Sequence, residues 1–241
     1  MNGGRAERRN GGTADGLRFL TVPAGLFVLP FLPLLPALPS SRALAQDAPA
    51  ALARAEQAYA AVRSVRAAFG QAVSNPMLGA PETSRGTLYL VKPDRFAMRF
   101  TEPAGDRIVA DGTWLWAYTP STVPNQVIRQ PVPTSGTATP NLFAQFVERP
   151  LERYEATWAG RDTVAGEPVE LVRLVPRVNG LGFRRATIAI SERTGWIRRV
   201  AIVEDSGQLR TLVLTDVTPD AHVPASEVAF TVPRGVKVVT P

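Results

Sequence analysis

The chain has 241 residues with 45% hydrophobic content, enough for a full core and against wholesale disorder, and its 22 prolines and 19 glycines suit many turns between short strands. It has no cysteine, which excludes a disulfide framework, a thiol nucleophile, a thiolate metal site and a lipid-modified N-terminal cysteine. The formal charge is +6, but Arg5, Arg8, Arg9, Arg18 and Arg42 against Glu7 and Asp15 place half of that excess in the first 45 residues, and no concentrated basic patch for nucleic acid remains.

Residues 1–45 read as a secretory signal peptide. Arg5, Arg8, Arg9 and Arg18 form a basic region, residues 19–38 are apolar, and Ala43-Leu44-Ala45 is a small-residue cleavage site before Gln46. Pro23, Pro30, Pro33, Pro36 and Pro39 break up any membrane-spanning helix over the same stretch. Residues 46–241 then read as one domain, without a repeat or a domain-sized linker.

The spacing of Leu52, Ala55, Tyr59 and Val62 predicts a helix over residues 48–63, with Asp47 as its N-cap and Pro49 in the first turn. Strands are expected at 65–74, 86–91, 95–101, 107–111, 114–119 and 125–130. In the third, Phe96, Met98 and Phe100 alternate with Arg95, Ala97, Arg99 and Thr101, so one face carries an aromatic and thioether stripe. Lys92-Pro93-Asp94 is a turn before that stripe, and Asp111-Gly112 is the pair favoured in tight hairpins.

A Pro/Thr/Ser linker follows at 131–138. Thr139 and Pro140 then start a short helix that Pro150 stops, with Leu142, Phe143, Phe146 and Val147 on one face. That much apolar surface on a short helix inside a β meander has to cover something. Strands resume at 153–158, 169–175, 183–191, 195–204 and 208–217, each ending in a turn signal, and residues 228–239 close the chain.

Catalytic chemistry is not visible. The one histidine, His222, lies in a loop without a G-x-S-x-G elbow to pair with, and reads as a surface residue. One histidine and no cysteine make a poor metal site, and no calcium loop, phosphate cradle or cofactor motif is present. The residues alone suit a filled core around Phe96, Met98, Phe100, Trp114, Trp116 and Tyr118 more readily than a ligand cavity.

Four stretches carry a resemblance. Lys92-Pro93 with Phe96, and the run from Val109 through Asp111-Gly112, Leu115-Trp116, Tyr118 and Pro120, resemble the outer-membrane lipoprotein carrier family (LolA) of periplasmic lipoprotein chaperones. Phe69-Gly70-Gln71 resembles its first strand, and Phe230 to Val238 its F-x-x-P-x-G-V-x-V close. The matches run in family order across residues 64–238.

The resemblance implies a mainly β fold with a helical lid (α+β): an open antiparallel half-barrel whose hydrophobic concave cavity is covered by short helices. It implies a non-enzymatic monomeric carrier of acylated lipoproteins, working in the periplasm without a cofactor. Its partners are then an inner-membrane lipoprotein-release ABC transporter complex and, where present, an outer-membrane lipoprotein receptor. Cavity residues are expected at Phe96, Met98, Phe100, Trp116, Leu142, Phe143 and Phe146. Lys92 stands where well-known members place an arginine that hydrogen-bonds the lid, so lid control falls to it by resemblance. By its own context it reads equally as an exposed turn lysine. Two rival readings fit the same residues: a lipid-binding or lipid-sensing envelope protein on this scaffold, and a periplasmic lipid hydrolase.

Overall fold

The alternation around Phe96 belongs to one large sheet. The computed structural model describes residues 41–75, 77, 79–132 and 144–241. A first meander comprises β1 (Ser64–Ser74), β2 (Glu82–Val91), β3 (Arg95–Glu102), β4 (Arg107–Asp111), β5 (Trp114–Tyr118) and β6 (Gln126–Pro131). A second comprises β7 (Tyr154–Val164), β8 (Glu167–Pro176), β9 (Phe183–Ser191), β10 (Ile197–Glu204) and β11 (Leu209–Pro219). β1 pairs antiparallel with both β2 and β11, which fuses the meanders. The order is β12-β6-β5-β4-β3-β2-β1-β11-β10-β9-β8-β7, where β12 (Lys237–Val239) runs parallel to β6 at one edge. β7 forms the other edge, so the sheet stays unclosed: an open half-barrel.

This order explains why a helix covers the sheet. The chain leaves β6 near one edge and re-enters at β7 on the other. The connection carries α2 (Ala144–Val147) and α3 (Pro150–Arg153). α2 ends ahead of Pro150 as expected; Arg149 then takes a left-handed φ of 45° and Pro150 opens the next helical turn, where its missing N–H costs nothing. The expected start of the α2 helix, with Leu142 and Phe143, lies outside the described residues.

The first helix, α1 (Ser41–Ala60), begins earlier than an Asp47 cap would allow, and Pro49 lies inside it. Proline has no N–H, so the carbonyl of residue 45 is left without a helical donor. α1 lies across the inner side of β7, β8 and β9.

Register sorts the two faces. Leu90, Phe96, Ala110 and Leu115 are consecutive cross-strand partners, as are Leu88, Met98, Ile108 and Ala117. These rows face inward and join the main core with Phe69, Leu212, Leu214 and the helices. The alternate row, Ala97, Val109 and Trp116, faces outward. There Val228, Phe230, Val232 and Val236 of the C-terminal segment cover it. Phe230 stacks on Trp116 at 5.2 Å between ring centroids.

Candidate functional site: an apolar concave face under two helices

Phe96 and Met98 lie buried on the concave face, and Phe100 continues their stripe. Phe100 meets Phe69 edge to face, with centroids 5.1 Å apart. Gly86 makes that contact possible. It sits between the two rings in the register, and a β-carbon there would be 1.9 Å from the Arg99 carbonyl oxygen. Phe146 of α2 is fully buried against Tyr154 and Phe183, with centroids 5.9 and 6.0 Å away.

Trp116 does not belong with these residues. Its ring is on the convex side, and its Nε1 donates to Asp111 Oδ2 at 2.7 Å. Expecting it in the cavity was an error of parity: the β3–β4 and β4–β5 registers place Leu115, not Trp116, beside Phe96 and Ala110. Burial of the Asp111 carboxyl pushes its pKa up. The backbone N–H of Trp114, the Trp116 indole, the backbone N–H of Thr113 and the charge of Arg95 outweigh this and hold it below the ordinary 3.8.

The concave space is filled. Leu52, Ala55 and Tyr59 of α1, with Val62 just beyond it, are buried in the main core beside Phe146 and Val147. Between the helices and the sheet lies a void of about 30 Å³ lined by Tyr59, Leu88, Leu90, Val147, Trp196 and Leu214, among others. That is room for about one water-sized occupant. The expected helical cover over the concave face is present, and the side chains of α1 and α2 reach into the space beneath it.

Polar contacts hold α1 in this seat. Lys92, in the β2–β3 turn, donates from Nζ to the carbonyls of Tyr59 and Ala60, the latter at 3.3 Å. Its ammonium also lies 4.3 Å from the Tyr59 ring centroid. A cation at a helix C-terminus meets carbonyls that have no intrahelical donor and the negative end of the dipole. Further along the helix, Arg54 pairs with Glu170 of β8, whose side chain is 11% exposed. Gly195, in the β9–β10 turn, lets α1 approach: a β-carbon there would be 2.7 Å from the Arg54 carbonyl oxygen. Arg149 donates its backbone N–H to Glu56 of α1 at 3.3 Å and so ties the second cover to the first.

Arg54, Glu170 and Gly195 were missed in the sequence. Arg54 and Glu170 are separated by 116 positions, and neither has a local signal of pairing. Arg193-Thr194-Gly195 is a local turn signal that says nothing of a helix packed above it. Leu142 and Phe143 lie outside the described residues, so their expected place in the cavity gains no geometry here. Among the described residues, no three histidine, aspartate or glutamate side chains group as metal ligands.

An open antiparallel half-barrel with an apolar concave face plugged by its own helices is the scaffold of a hydrophobic-ligand holder. The family model for Outer membrane lipoprotein carrier protein LolA matches residues 60–231, and the chain belongs to that family. An outer-membrane lipoprotein carrier protein of Methylibium petroleiphilum is 31% identical over 182 residues, covering 75% of this chain and 84% of the relative. One from Leptothrix cholodnii is 29% identical over 178 residues, covering 74% and 80%. Among solved structures, an uncharacterized conserved protein from Thermus thermophilus shares the fold, with a TM-score of 0.51 at 12% identity over 80% of this chain and 98% of that one.

Proposed function

We propose that this protein is a periplasmic carrier that shields the acyl chains of lipoproteins and moves them from the inner to the outer membrane. The observation that carries this reading is the plugged concave face. Leu52, Tyr59, Val62, Phe146 and Val147 bury there the kind of surface an acyl chain would bury. At about 1.5–3 kcal/mol per large apolar side chain, their docking is worth on the order of 10 kcal/mol. A 16-carbon chain with about 14 methylenes, at about 0.8 kcal/mol each, is worth on the order of 10 kcal/mol as well. The helices therefore offset about one acyl chain of the cargo, which lowers the net affinity and so lets a carrier take up cargo and also let it go.

Release then needs only a better acceptor. Lys92 is the lid-control residue in this reading, since its bonds to Tyr59 and Ala60 exist only while α1 is seated. Phe96, Met98 and Phe100 line the acyl site, and Phe146, with Leu142 and Phe143, contributes from the lid. The partners in this reading are acylated lipoproteins, an inner-membrane lipoprotein-release ABC transporter complex and, where present, an outer-membrane lipoprotein receptor. The work is transport and not catalysis.

Residues 1–45 act as the export signal, and 46–241 as the mature carrier domain. Pro49 supports this boundary. Cleavage after Ala45 puts it in the first turn of the shortened helix, where a proline is tolerated. The experiment is affinity capture of the tagged protein from periplasm, followed by mass spectrometry of bound acylated peptides. Lipoproteins are expected in the captured fraction. Free lipid alone, or an empty protein, would contradict the carrier reading.

A further inference from the structure

Two neutral donors under the helices have no partner. Among the described residues, Tyr154 Oη and Trp158 Nε1 are shielded from solvent yet make no hydrogen bond. The other orphaned atoms belong to groups already engaged: Arg54 pairs with Glu170, Arg198 with Glu167, Glu227 with Arg99, and Arg129 lies over Trp114. Tyr154 is wholly buried. Burial raises its pKa, against the lowering effect of the Arg153 charge, so the phenol keeps its proton at neutral pH.

A buried donor without an acceptor costs stability, and phenylalanine would fill the same space without that cost. Both residues belong to the inward row of β7 and pack in the main core. Tyr154 sits directly against Phe146, the residue that α2 inserts into the core. Lifting α2 would uncover the hydroxyl on the face left for a ligand.

We propose that Tyr154 Oη and Trp158 Nε1 form a polar subsite of the acyl-chain site, donating to the ester or amide carbonyl oxygens that join acyl chains to their headgroup. This rests on the acyl-carrier reading above. Four residues along one strand separate the two Cα atoms by about 13 Å, so the two donors are assigned different acceptors. Tyr154 takes an acyl carbonyl, and Trp158 takes the next acceptor of the headgroup or of the peptide attached to it. The subsite fixes where along the face the chains begin, which apolar contacts alone do not specify.

The test compares binding of dipalmitoylglycerol and of its dihexadecyl ether analogue, which lacks the carbonyls. Wild type should hold the ester about tenfold more tightly, the value of about one well-made hydrogen bond. Tyr154→Phe should lower that ratio several-fold, leave the ether affinity unchanged and not lower the melting temperature. Trp158→Phe should reduce the ester preference in the same sense. Equal binding of ester and ether by wild type would overturn the subsite while sparing the carrier. A Tyr154→Phe protein that loses both lipids equally and melts lower would make the tyrosine a packing residue only. Failure of wild type to bind either lipid would overturn the subsite together with the acyl-carrier reading.

Discussion

The ammonium of Lys92 lies 4.3 Å from the centre of the Tyr59 ring while donating to the carbonyls that end α1. One side chain thus joins the turn before the Phe96 stripe to the helix that covers it. A charge-assisted hydrogen bond of this kind is worth about 1.5–3 kcal/mol, less where solvent reaches it. Lys92→Leu should favour the open, loaded form and lengthen the transfer half-time of a labelled lipoprotein to acceptor membranes about tenfold. Lys92→Arg keeps the donors and should match wild type or close more tightly. Equal half-times for all three proteins would reduce Lys92 to a surface lysine.

Gly195 gives a second handle on α1. Its φ of +73° costs an alanine about 1–2 kcal/mol, and the new β-carbon would also push against the Arg54 carbonyl. Gly166 has a φ of +80° with nothing within 4 Å of a β-carbon. Gly195→Ala should therefore lower the melting temperature and increase uptake of a fluorescent apolar dye. Gly166→Ala should lower the melting temperature alone. Equal dye uptake in both would mean that the seat of α1 does not gate the face.

The two faces of the sheet should separate stability from binding. Phe146→Ala and Trp116→Ala each remove a large buried ring, at a cost of about 3–5 kcal/mol. Phe146 belongs to the cover, so its loss should raise dye affinity per folded molecule. Trp116 holds the C-terminal segment on the convex face, so its loss should destabilise without changing that affinity. Dye titrations beside urea melts check both.

What the sequence made legible follows from the range of each signal. Strand and turn positions are local, and alternation placed Phe96, Met98 and Phe100 on one face without outside help. Trp116 needed the parity of two successive hairpins, and residues 103–106, which join β3 to β4, do not announce the register of that turn. Pro150 and Pro49 were read by the rule that proline bounds a helix. The first does follow the end of α2 but also opens a new turn, and the second sits within a helix that continues before it. β7 was expected to end at Trp158, but it runs on to Val164 through an irregularity between Trp158 and Gly160. The pairing of Arg54 with Glu170 depends on the whole fold, and no short-range pattern carries it.

Asp111 should set an acid limit to stability. Its native pKa lies below 3.8, so near that pH the unfolded chain binds more protons than the native one. Its contribution is complete above the ordinary carboxylate range and is lost as pH falls through the depressed native value. Melting temperature measured from pH 7 down to pH 2 should drop more steeply below about pH 4 for wild type than for Asp111→Asn. Parallel curves would show that the Trp116 and backbone hydrogen bonds do not depend on the charge.

The central claim is that the helices and acyl chains compete for one apolar face. Amide hydrogen exchange, measured with and without a synthetic triacylated lipopeptide, tests it most directly. Bound lipopeptide should speed exchange in residues 48–60 and 144–147 by at least about tenfold, while β1, β2 and β11 stay protected. Lipopeptide binding that leaves exchange in both helices unchanged would contradict the claim, as would no binding at all.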